Sequence, residues 1–354
     1  MHKGKGLYIH IPFCSKKCAY CSFYSGFVSE AVLEDYVSAL IKELKRWGGR
    51  FDRPIDSIYF GGGTPSVLGK KIEPIMDAIR NNFHILDDAE ITAEINPEAS
   101  LEFLQSAKKE GINRISMGAQ SGIDSELKML GRNHTVNDIK EKYYLLKELG
   151  FDNISLDIML GLPESTIETL KESLEFITNL NPQHISAYIL KIEEKTALAK
   201  KQLDIPSDDL TAEQYLFMCE HLKNKGYKHY EISNFTKDGF ESRHNLKYWE
   251  LCEYLGVGPS AHSMIDNKRF YYPNDLMGFI NNPRIVDDGA VEDYEELMLG
   301  LRVNKGINID TNDAVLMNKI QLFKKAGYVN LKGDNLSLTD TGMLLSNSII
   351  SELI

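Results

Sequence analysis

Three cysteines within eight residues, Cys14, Cys18 and Cys21, directly follow the strand-like run Leu7-Tyr8-Ile9-His10-Ile11-Pro12. Three thiolates on one short loop can converge on a single soft metal centre, which constrains how the chain leaves its first strand. No fourth cysteine lies nearby, so a four-iron cluster held here would keep one iron free for a ligand from outside the protein. The spacing therefore predicts an iron–sulfur centre with an available corner.

Two other interpretations of these cysteines are weaker. A structural zinc needs a fourth ligand, and the nearest candidate, His10, lies on the preceding strand. A disulfide needs an oxidising compartment, but the chain has only five cysteines and no apolar signal peptide or membrane-length segment, which favours the cytoplasm. The other two cysteines, Cys219 and Cys252, stand alone in apolar surroundings and are expected to be core residues rather than ligands.

Length and charge limit the classes of partner. The chain has 354 residues, enough for two domains, and 43% of them are hydrophobic, enough for a packed core. Lys and Arg number 40 against 51 Asp and Glu, which gives a formal net charge of −11. Because such a surface repels phosphate backbones, we expect no nucleic-acid partner. We also expect a soluble protein of the cytoplasm.

The first half of the chain alternates short apolar runs with amphipathic stretches, a pattern typical of parallel βα units. The predicted strands are Leu7–Ile11, Ser57–Phe60, Glu90–Ile95, Arg114–Gly118, Ile154–Leu160 and His184–Leu190. The predicted helices lie near Glu30–Trp47, Gly69–Asn82, Leu101–Glu110, Asn137–Leu149 and Ile167–Asn179. Polar motifs fall at the carboxyl ends of these strands, which predicts an α/β fold, a partial barrel of six βα units with its functional edge there.

The pattern changes near residue 205. Leu210–Lys225 predicts one helix, and an aromatic and polar region follows it. The last segment contains a predicted hairpin with Gly333-Asp334-Asn335 at its tip, after which Thr339 can cap a closing helix. We predict a partial barrel over 1–204, a connecting region over 205–290 and an α+β domain similar to a winged helix over 291–354.

Further polar and glycine motifs share the predicted edge with the cysteines. The run Gly61-Gly62-Gly63-Thr64 is either a plain tight turn or a cradle for the amine and carboxylate of a small zwitterion. The later strand ends carry four polar side chains: Glu94, Gln120, Arg132 and Asp157. Asp157 interrupts an apolar strand, so its charge must be paired or face a ligand. Ordinary salt bridges explain Glu94 and Arg132 equally well.

The segment His244-Asn245-Leu246-Lys247-Tyr248-Trp249 combines an imidazole, an amide and two aromatic rings within six residues. A porphyrin needs flat aromatic walls and an axial imidazole, and this segment offers both. The alternative is an ordinary aromatic cluster around a hydrogen-bonded histidine.

Several of these motifs resemble one known superfamily. Cys-x3-Cys-x-Tyr-Cys after Tyr-Ile-His-Ile-Pro-Phe resembles the radical S-adenosylmethionine signature. Gly-Gly-Gly-Thr-Pro, Ala-Glu-Ile-Asn-Pro, Ser-Met-Gly-Ala-Gln-Ser and Asp-Ile-Met-Leu-Gly-Leu-Pro resemble the branch that contains oxygen-independent coproporphyrinogen III oxidase, and the likeness covers nearly the whole chain. The resemblance implies that Cys14, Cys18 and Cys21 hold a 4Fe–4S cluster whose open iron binds S-adenosylmethionine. It also implies a cofactor pocket lined by Tyr8, Tyr20, Gly62, Gly63, Thr64, Glu94, Gln120, Arg132 and Asp157.

Two departures from the oxidase point to a different branch. Phe23 stands where the oxidase typically carries a further cysteine, and only a few residues precede Leu7 where the oxidase has a long segment over its active site. Radical decarboxylation requires a sequestered centre, so both departures weaken that activity. His244-Asn-x-x-Tyr-Trp249 is similar to the signature of the HemW heme chaperone family, whose members bind heme and deliver it to acceptor proteins.

The preferred hypothesis is therefore a heme chaperone, with His244, Asn245, Tyr248 and Trp249 as candidate heme-binding residues and no residue assigned to catalysis. Its expected partners are heme and heme-acceptor proteins, membrane-associated ones among them, with a homodimer as a further expectation. The alternative is an enzyme, a radical oxidative decarboxylase of coproporphyrinogen III. Radical modification of RNA is disfavoured by the acidic balance of the chain.

Overall fold

The computed structural model describes residues 4–27, 29–50 and 53–354. The strands, in chain order, are β1 Lys5–Ile11, β2 Ile55–Gly62, β3 Ile85–Ile95, β4 Arg114–Gln120, β5 Asn153–Leu160, β6 His184–Ile189, β7 Lys228–Glu231, β8 Asn234–Thr236, β9 Tyr254–Val257, β10 His262–Ile265, β11 Lys268–Tyr271, β12 Val286–Ala290, β13 Ile307–Asn308, β14 Val329–Lys332 and β15 Asn335–Leu338. The helices are α1 Glu30–Gly48, α2 Ile72–Asn82, α3 Leu101–Lys109, α4 Asp124–Met129, α5 Val136–Glu148, α6 Ile167–Leu180, α7 Asp208–Asn224, α8 Arg243–Trp249, α9 Leu276–Asn281, α10 Tyr294–Gly300, α11 Ala314–Lys325, α12 Asp340–Leu344 and α13 Ser346–Leu353.

The chain forms two compact units built from interleaved segments. The first unit comprises the residues up to Asp157, Lys191–Gln202 and Cys252–Val291. The second comprises Ile158–Leu190, Leu203–Leu251 and Glu292–Ile354. The contiguous division into 1–204, 205–290 and 291–354 stays a prediction. The two compact units divide the chain differently from this prediction, because β9, which lies in the predicted connecting region, pairs with β1.

The first unit is built on a sheet whose centre is parallel. Its strands lie in the order β12-β11-β10-β9-β1-β2-β3-β4-β5, and β1 to β4 pair in parallel. Every residue of β4 is buried, and β1 has only Tyr8 partly exposed. Strands covered on both faces are continuous apolar runs, which is why the sequence pattern identified them. The carboxyl ends of β1 to β4 therefore meet at one edge.

Local capping chemistry fixes where the helices begin. Ser29 accepts a hydrogen bond from the backbone of α1 and Ser100 one from the backbone of α3. Thr135 forms a capping box with Asp138 at the start of α5, and Thr166 forms another with Thr169 at α6. A cap satisfies backbone N–H groups that the first helical turn leaves unpaired. The helices predicted near Asn137–Leu149 and Ile167–Asn179 are confirmed.

The second unit combines helices with the antiparallel strands β6-β8-β7 and with a separate three-stranded antiparallel sheet, β13-β15-β14. The predicted C-terminal hairpin is confirmed, since β14 and β15 pair directly across Gly333 and Asp334. Gly333 has a φ of 65°, a left-handed conformation that glycine adopts without strain. Thr339 caps α12 as predicted, accepting a hydrogen bond from the Gly342 backbone at 3.0 Å.

The strands β9 to β12 are an addition that the sequence pattern did not predict. They extend the first unit's sheet beyond β1, first in parallel and then as antiparallel neighbours. Each has only four or five residues, too few for a clear alternation of apolar and polar positions. Across the described residues, no helix is both long enough and apolar enough to cross a bilayer.

Candidate cluster and cofactor site

The cysteine loop leaves the carboxyl end of β1 and is closed by backbone pairing. The Cys14 N–H donates to the Gly26 carbonyl, and the Gly26 N–H donates to the Pro12 carbonyl, both at 3.0 Å. Cys14, Cys18 and Cys21 are all half-buried free thiols on this loop. The closed loop therefore carries its sulfurs at the edge where the parallel strands end.

Polar groups from other segments contact two of the sulfurs. Thr64 Oγ1 donates to Cys14 Sγ at 3.4 Å, and an Arg132 guanidinium nitrogen donates to Cys18 Sγ at 3.1 Å. Burial raises the pKa of the Cys21 thiol. Hydrogen bonds and a cation beside sulfur stabilise thiolate, the form that binds iron. The surroundings thus suit thiolate ligation at Cys14 and Cys18 directly.

The geometry fits a cluster better than a zinc ion. A single ion suits donor atoms that all lie within 4.8 Å of one another. Within the described residues, the three sulfurs do not form such a group. His10, the candidate fourth zinc ligand, has both ring nitrogens occupied, by the Tyr8 hydroxyl at 3.0 Å and the Tyr24 carbonyl at 3.2 Å. Burial lowers the pKa of His10 to about 4, so the ring is neutral. A 4Fe–4S cluster fits this donor set.

A chain of hydrogen bonds connects two of the cysteines through Asn96. The Asn96 amide donates to Thr64 Oγ1 at 3.2 Å and accepts from Arg132 at 3.1 Å. Because Thr64 and Arg132 each donate to a sulfur, Asn96 couples the groups next to Cys14 and Cys18. Sequence reasoning overlooked Asn96. The available signal was an Asn-Pro pair directly after a buried strand.

The glycine run at the end of β2 packs too closely against neighbouring segments to admit larger residues. Gly62 has a φ of 107°, and a Cβ there would lie 2.5 Å from Cε1 of His10. A Cβ on Gly63 would lie 2.5 Å from the Phe13 carbonyl oxygen. Only glycine permits both the backbone angle and the close approach. The requirement for Gly62 and Gly63 is therefore steric, which both the tight-turn and the cradle interpretation allow.

Two carboxyl groups lie on β3 and β5, the strands on either side of β4. Glu94 on β3 accepts hydrogen bonds from the Tyr59 hydroxyl at 2.8 Å and the Gly62 N–H at 3.3 Å. Burial, with a further contribution from the charge of Asp157, raises the pKa of Glu94 to about 7. Asp157 on β5 accepts from Ser116 at 3.1 Å. Perturbed titratable groups of this kind are typical of binding sites.

Arg132 provides a donor that the protein leaves unused. Its guanidinium donates to Cys18, Asn96 and the Gly118 carbonyl, yet its Nε is buried without a partner in the described part of the chain. A buried unpaired donor is costly, and an anionic ligand would remove the cost. The Tyr20 hydroxyl lies near this cation, and burial raises the pKa of Tyr20.

Gln120 and Tyr8 complete the predicted cofactor pocket. Gln120, at the end of β4, has a φ of 73°, a strained angle for a residue other than glycine. Such strain is concentrated at functional sites, where packing maintains it. Tyr8 stacks on Tyr59 with 6.2 Å between ring centroids. All nine predicted cofactor residues and the three cysteines belong to the first unit.

The second candidate site, the His244–Trp249 motif, belongs to the second unit and forms α8. His244 is buried, and its Nε2 is hydrogen-bonded to the Tyr248 hydroxyl at 3.0 Å. The Ser242 hydroxyl accepts a hydrogen bond from the Asn245 N–H, which fixes the start of the helix. The Trp249 ring packs against the Arg302 guanidinium at 5.8 Å. Nε2 of this imidazole could therefore bind iron only after it leaves Tyr248.

Two family models match the chain: that of the radical SAM superfamily over residues 8–177 and that of the HemN C-terminal domain over residues 293–345. Among curated proteins, the heme chaperone HemW of Bacillus subtilis (strain 168) is 32% identical over 98% of this chain and 98% of its own length. The heme chaperone HemW of Lactococcus lactis is 31% identical over 100% of this chain and 98% of its own. That of Escherichia coli (strain K12) is 36% identical over 73% of this chain and 70% of its own.

Among solved structures, coproporphyrinogen III oxidase (HemN) of Escherichia coli, a radical SAM enzyme, superposes with a TM-score of 0.85. The match covers 99% of this chain and 90% of the oxidase at 23% sequence identity. At that identity the likeness shows the fold. The predicted α/β radical SAM barrel with a HemN-like C-terminal domain is confirmed.

Proposed function

The chain belongs to the HemW family of the radical SAM superfamily, and from that membership we propose that it binds heme and passes it to acceptor proteins. The proposal includes a 4Fe–4S cluster on Cys14, Cys18 and Cys21 with one iron open to S-adenosylmethionine. The observation that carries it is the likeness to heme chaperones along the whole chain, together with an intact His244–Trp249 motif.

The cluster half of the proposal rests on the groups around the three thiols. A reduced cluster would supply one electron at its open iron. Thr64 and Arg132 hold the sulfurs through hydrogen bonds. The unpaired Nε of Arg132 is a donor for a carboxylate, and Gly62 and Gly63 are proposed to contact the ligand through their backbone. The remaining proposed cofactor contacts are Tyr8, Tyr20, Glu94, Gln120 and Asp157.

The heme half rests on α8 and the space beside it. A cavity of about 380 Å³ is bordered by Trp249, Val303, Ile307 and Lys305. The volume lies in the range of ligand sites, and the walls provide an indole ring and branched apolar side chains. Lys305, whose Nζ donates to Glu250 at 2.7 Å, could exchange that partner for a propionate. A heme is wider than this cavity, so one edge would stay outside. An accessible edge suits a cargo that must be handed over.

Heme titration of the cluster-reconstituted protein tests the proposal. We expect a saturable Soret shift that His244→Ala weakens at least tenfold, since the imidazole would be an axial ligand. Tyr248→Phe should keep the affinity or raise it, because it frees His244 Nε2 while retaining the ring. His262→Ala is the matched control, since that histidine is exposed and belongs to the other unit. No saturable binding, or equal loss in His262→Ala, would refute the heme site.

The second candidate function is oxidative decarboxylation of coproporphyrinogen III, which the fold likeness to the oxidase favours. Phe23, at the position where the oxidase resemblance expects a cysteine, is 70% exposed and offers no metal ligand. An anaerobic assay on the same reconstituted sample, with reductant, S-adenosylmethionine and coproporphyrinogen III, should give no protoporphyrinogen. Its formation would favour the enzyme. A cytoplasmic location, a membrane-associated acceptor and a homodimer are parts of the proposal to be tested by fractionation and light scattering.

A further inference from the structure

A second group of metal-binding side chains lies in the second unit, apart from the cluster loop. Cys219 on α7, His229 on β7 and Asp340 at the start of α12 each offer a donor atom, and these atoms all lie within 4.8 Å of one another. The three residues also line a cavity of about 570 Å³. They are far apart in the sequence, so only the fold brings them together.

The histidine of this group has an unsatisfied ring nitrogen. The His229 side chain is 8% exposed, and its ring stacks on Phe235 with 4.3 Å between centroids. Nδ1 pairs with an Asp340 carboxylate oxygen at 2.9 Å, whereas Nε2 is buried without a hydrogen-bond partner among the described residues. An ion held by both His229 and Asp340 would take the place of the proton between Nδ1 and the carboxylate, because a ring nitrogen that binds metal is unprotonated. The packing against Phe235 also fixes the ring, as metal-ligand histidines require.

The chemistry of the three side chains selects the kind of ion. Thiolate, imidazole and carboxylate together suit zinc and similar transition metals, whereas magnesium and calcium prefer oxygen ligands alone. Three protein ligands leave a fourth tetrahedral position, which in zinc sites that react or bind ligands is taken by water or substrate. Here the adjoining cavity provides the space for that fourth ligand.

The same trio might suggest a cysteine nucleophile, but the surroundings of Cys219 oppose it. A nucleophilic thiol needs a lowered pKa and an imidazole within hydrogen-bond reach. Burial, with a contribution from the neighbouring Asp340 charge, raises the pKa of Cys219 to about 12. A bound cation reverses this situation, because a coordinating thiol loses its proton outright.

We propose that Cys219, His229 and Asp340 bind one divalent transition-metal ion of the zinc class, with a fourth coordination position facing the 570 Å³ cavity. The ion would join α7, β7 and α12, three elements from distant parts of the chain. Binding to the folded state alone would therefore raise the stability of the second unit.

Cobalt titration of the full-length chain tests the site. Cys14, Cys18 and Cys21 are replaced by serine in this background, so that neither the cluster nor its thiols contribute to the spectrum. We expect one equivalent of Co²⁺ to bind, with near-ultraviolet thiolate-to-cobalt charge transfer and the visible bands of a four-coordinate ion. Cys219→Ser should abolish the charge-transfer band, and His229→Gln and Asp340→Asn should each weaken binding at least tenfold. Cys252→Ser is the matched control and should change nothing.

A second measurement does not depend on that background. The protein purified with its cluster should contain about one equivalent of zinc by elemental analysis, lost in Cys219→Ser and retained in Cys252→Ser, and added zinc should raise the Tm only where Cys219 is present. Absence of saturable Co²⁺ binding, or an unchanged spectrum in Cys219→Ser, overturns the proposal. Displacement of the ion by heme also overturns it, because the trio would then belong to the heme site.

Discussion

At the scale of single residues, the cluster site is defined by what each position excludes. Gly62 excludes any side chain, because the His10 ring occupies the place of a Cβ. Arg132 excludes an apolar neighbour, because its Nε needs an acceptor. Glu94 is held by Tyr59 and the Gly62 backbone in a position where its charge is disfavoured. These constraints are what the proposed binding of a small polar ligand would rely on.

Replacing Gly62 by alanine should disrupt the cradle. The new Cβ would contact the His10 ring at 2.5 Å, and the φ of 107° is strained for any L side chain. We expect the free energy of unfolding to fall by about 1–3 kcal/mol and the reconstituted iron content to decrease. Urea titration and iron analysis measure both. Gly49→Ala, where a Cβ meets nothing within 4 Å, is the control, and equal effects in the two variants would contradict the steric explanation.

Glu94 should make stability depend on pH in a defined direction. Its pKa is about 7 in the folded chain against the usual 4.5, so between these values the unfolded chain ionises first and stability falls as pH rises. Below 4.5 the penalty is absent, and above 7 it is constant, at a size of about 3 kcal/mol. Urea titrations from pH 5 to 8 should show a smaller decline in Glu94→Gln. Parallel curves for wild type and variant would exclude this origin, and exposed Glu148→Gln serves as the control.

At the scale of elements, the added strands are attached to the first helix by a buried polar contact. Trp47 on α1 stacks on Phe270 of β11, and its ring N–H donates to the Tyr272 hydroxyl at 2.8 Å. That hydroxyl donates in turn to Glu43, also at 2.8 Å. Helix α1 is also the element that follows the cysteine loop in the chain. This contact therefore helps to hold the helix that comes after that loop.

Removing the Tyr272 hydroxyl should separate packing from hydrogen bonding at this contact. Tyr272→Phe keeps the ring but leaves the Trp47 N–H without its acceptor, so we expect a loss of about 1–3 kcal/mol in the free energy of unfolding. Denaturation followed by tryptophan fluorescence measures it. Tyr144→Phe, on an exposed part of α5, should cost much less. A Tyr272→Phe variant as stable as wild type would mean that the polar contact contributes nothing.

At the scale of the whole molecule, sequence reasoning succeeded where the determining interactions are local. The cysteine loop, the buried strands β1 to β5 and the caps at Thr135 and Thr166 depend on neighbouring residues, and each was predictable. The short strands β9 to β12 depend on pairing with β1 and with one another, which no local pattern records. His229 and Asp340 were missed because they lie far apart in the sequence, and Cys219, a buried residue as predicted, gains its neighbours only through the fold.

The central claim is that the protein carries heme to another protein, and a transfer experiment tests it most directly. Heme-loaded protein with its cluster is mixed in a stopped-flow instrument with an apo-heme protein, and the Soret band is followed. We expect the transfer rate to rise with acceptor concentration and to exceed the rate of heme release to a scavenger. We also expect it to fall in His244→Ala. Transfer no faster than passive release, and unchanged in that variant, would contradict it.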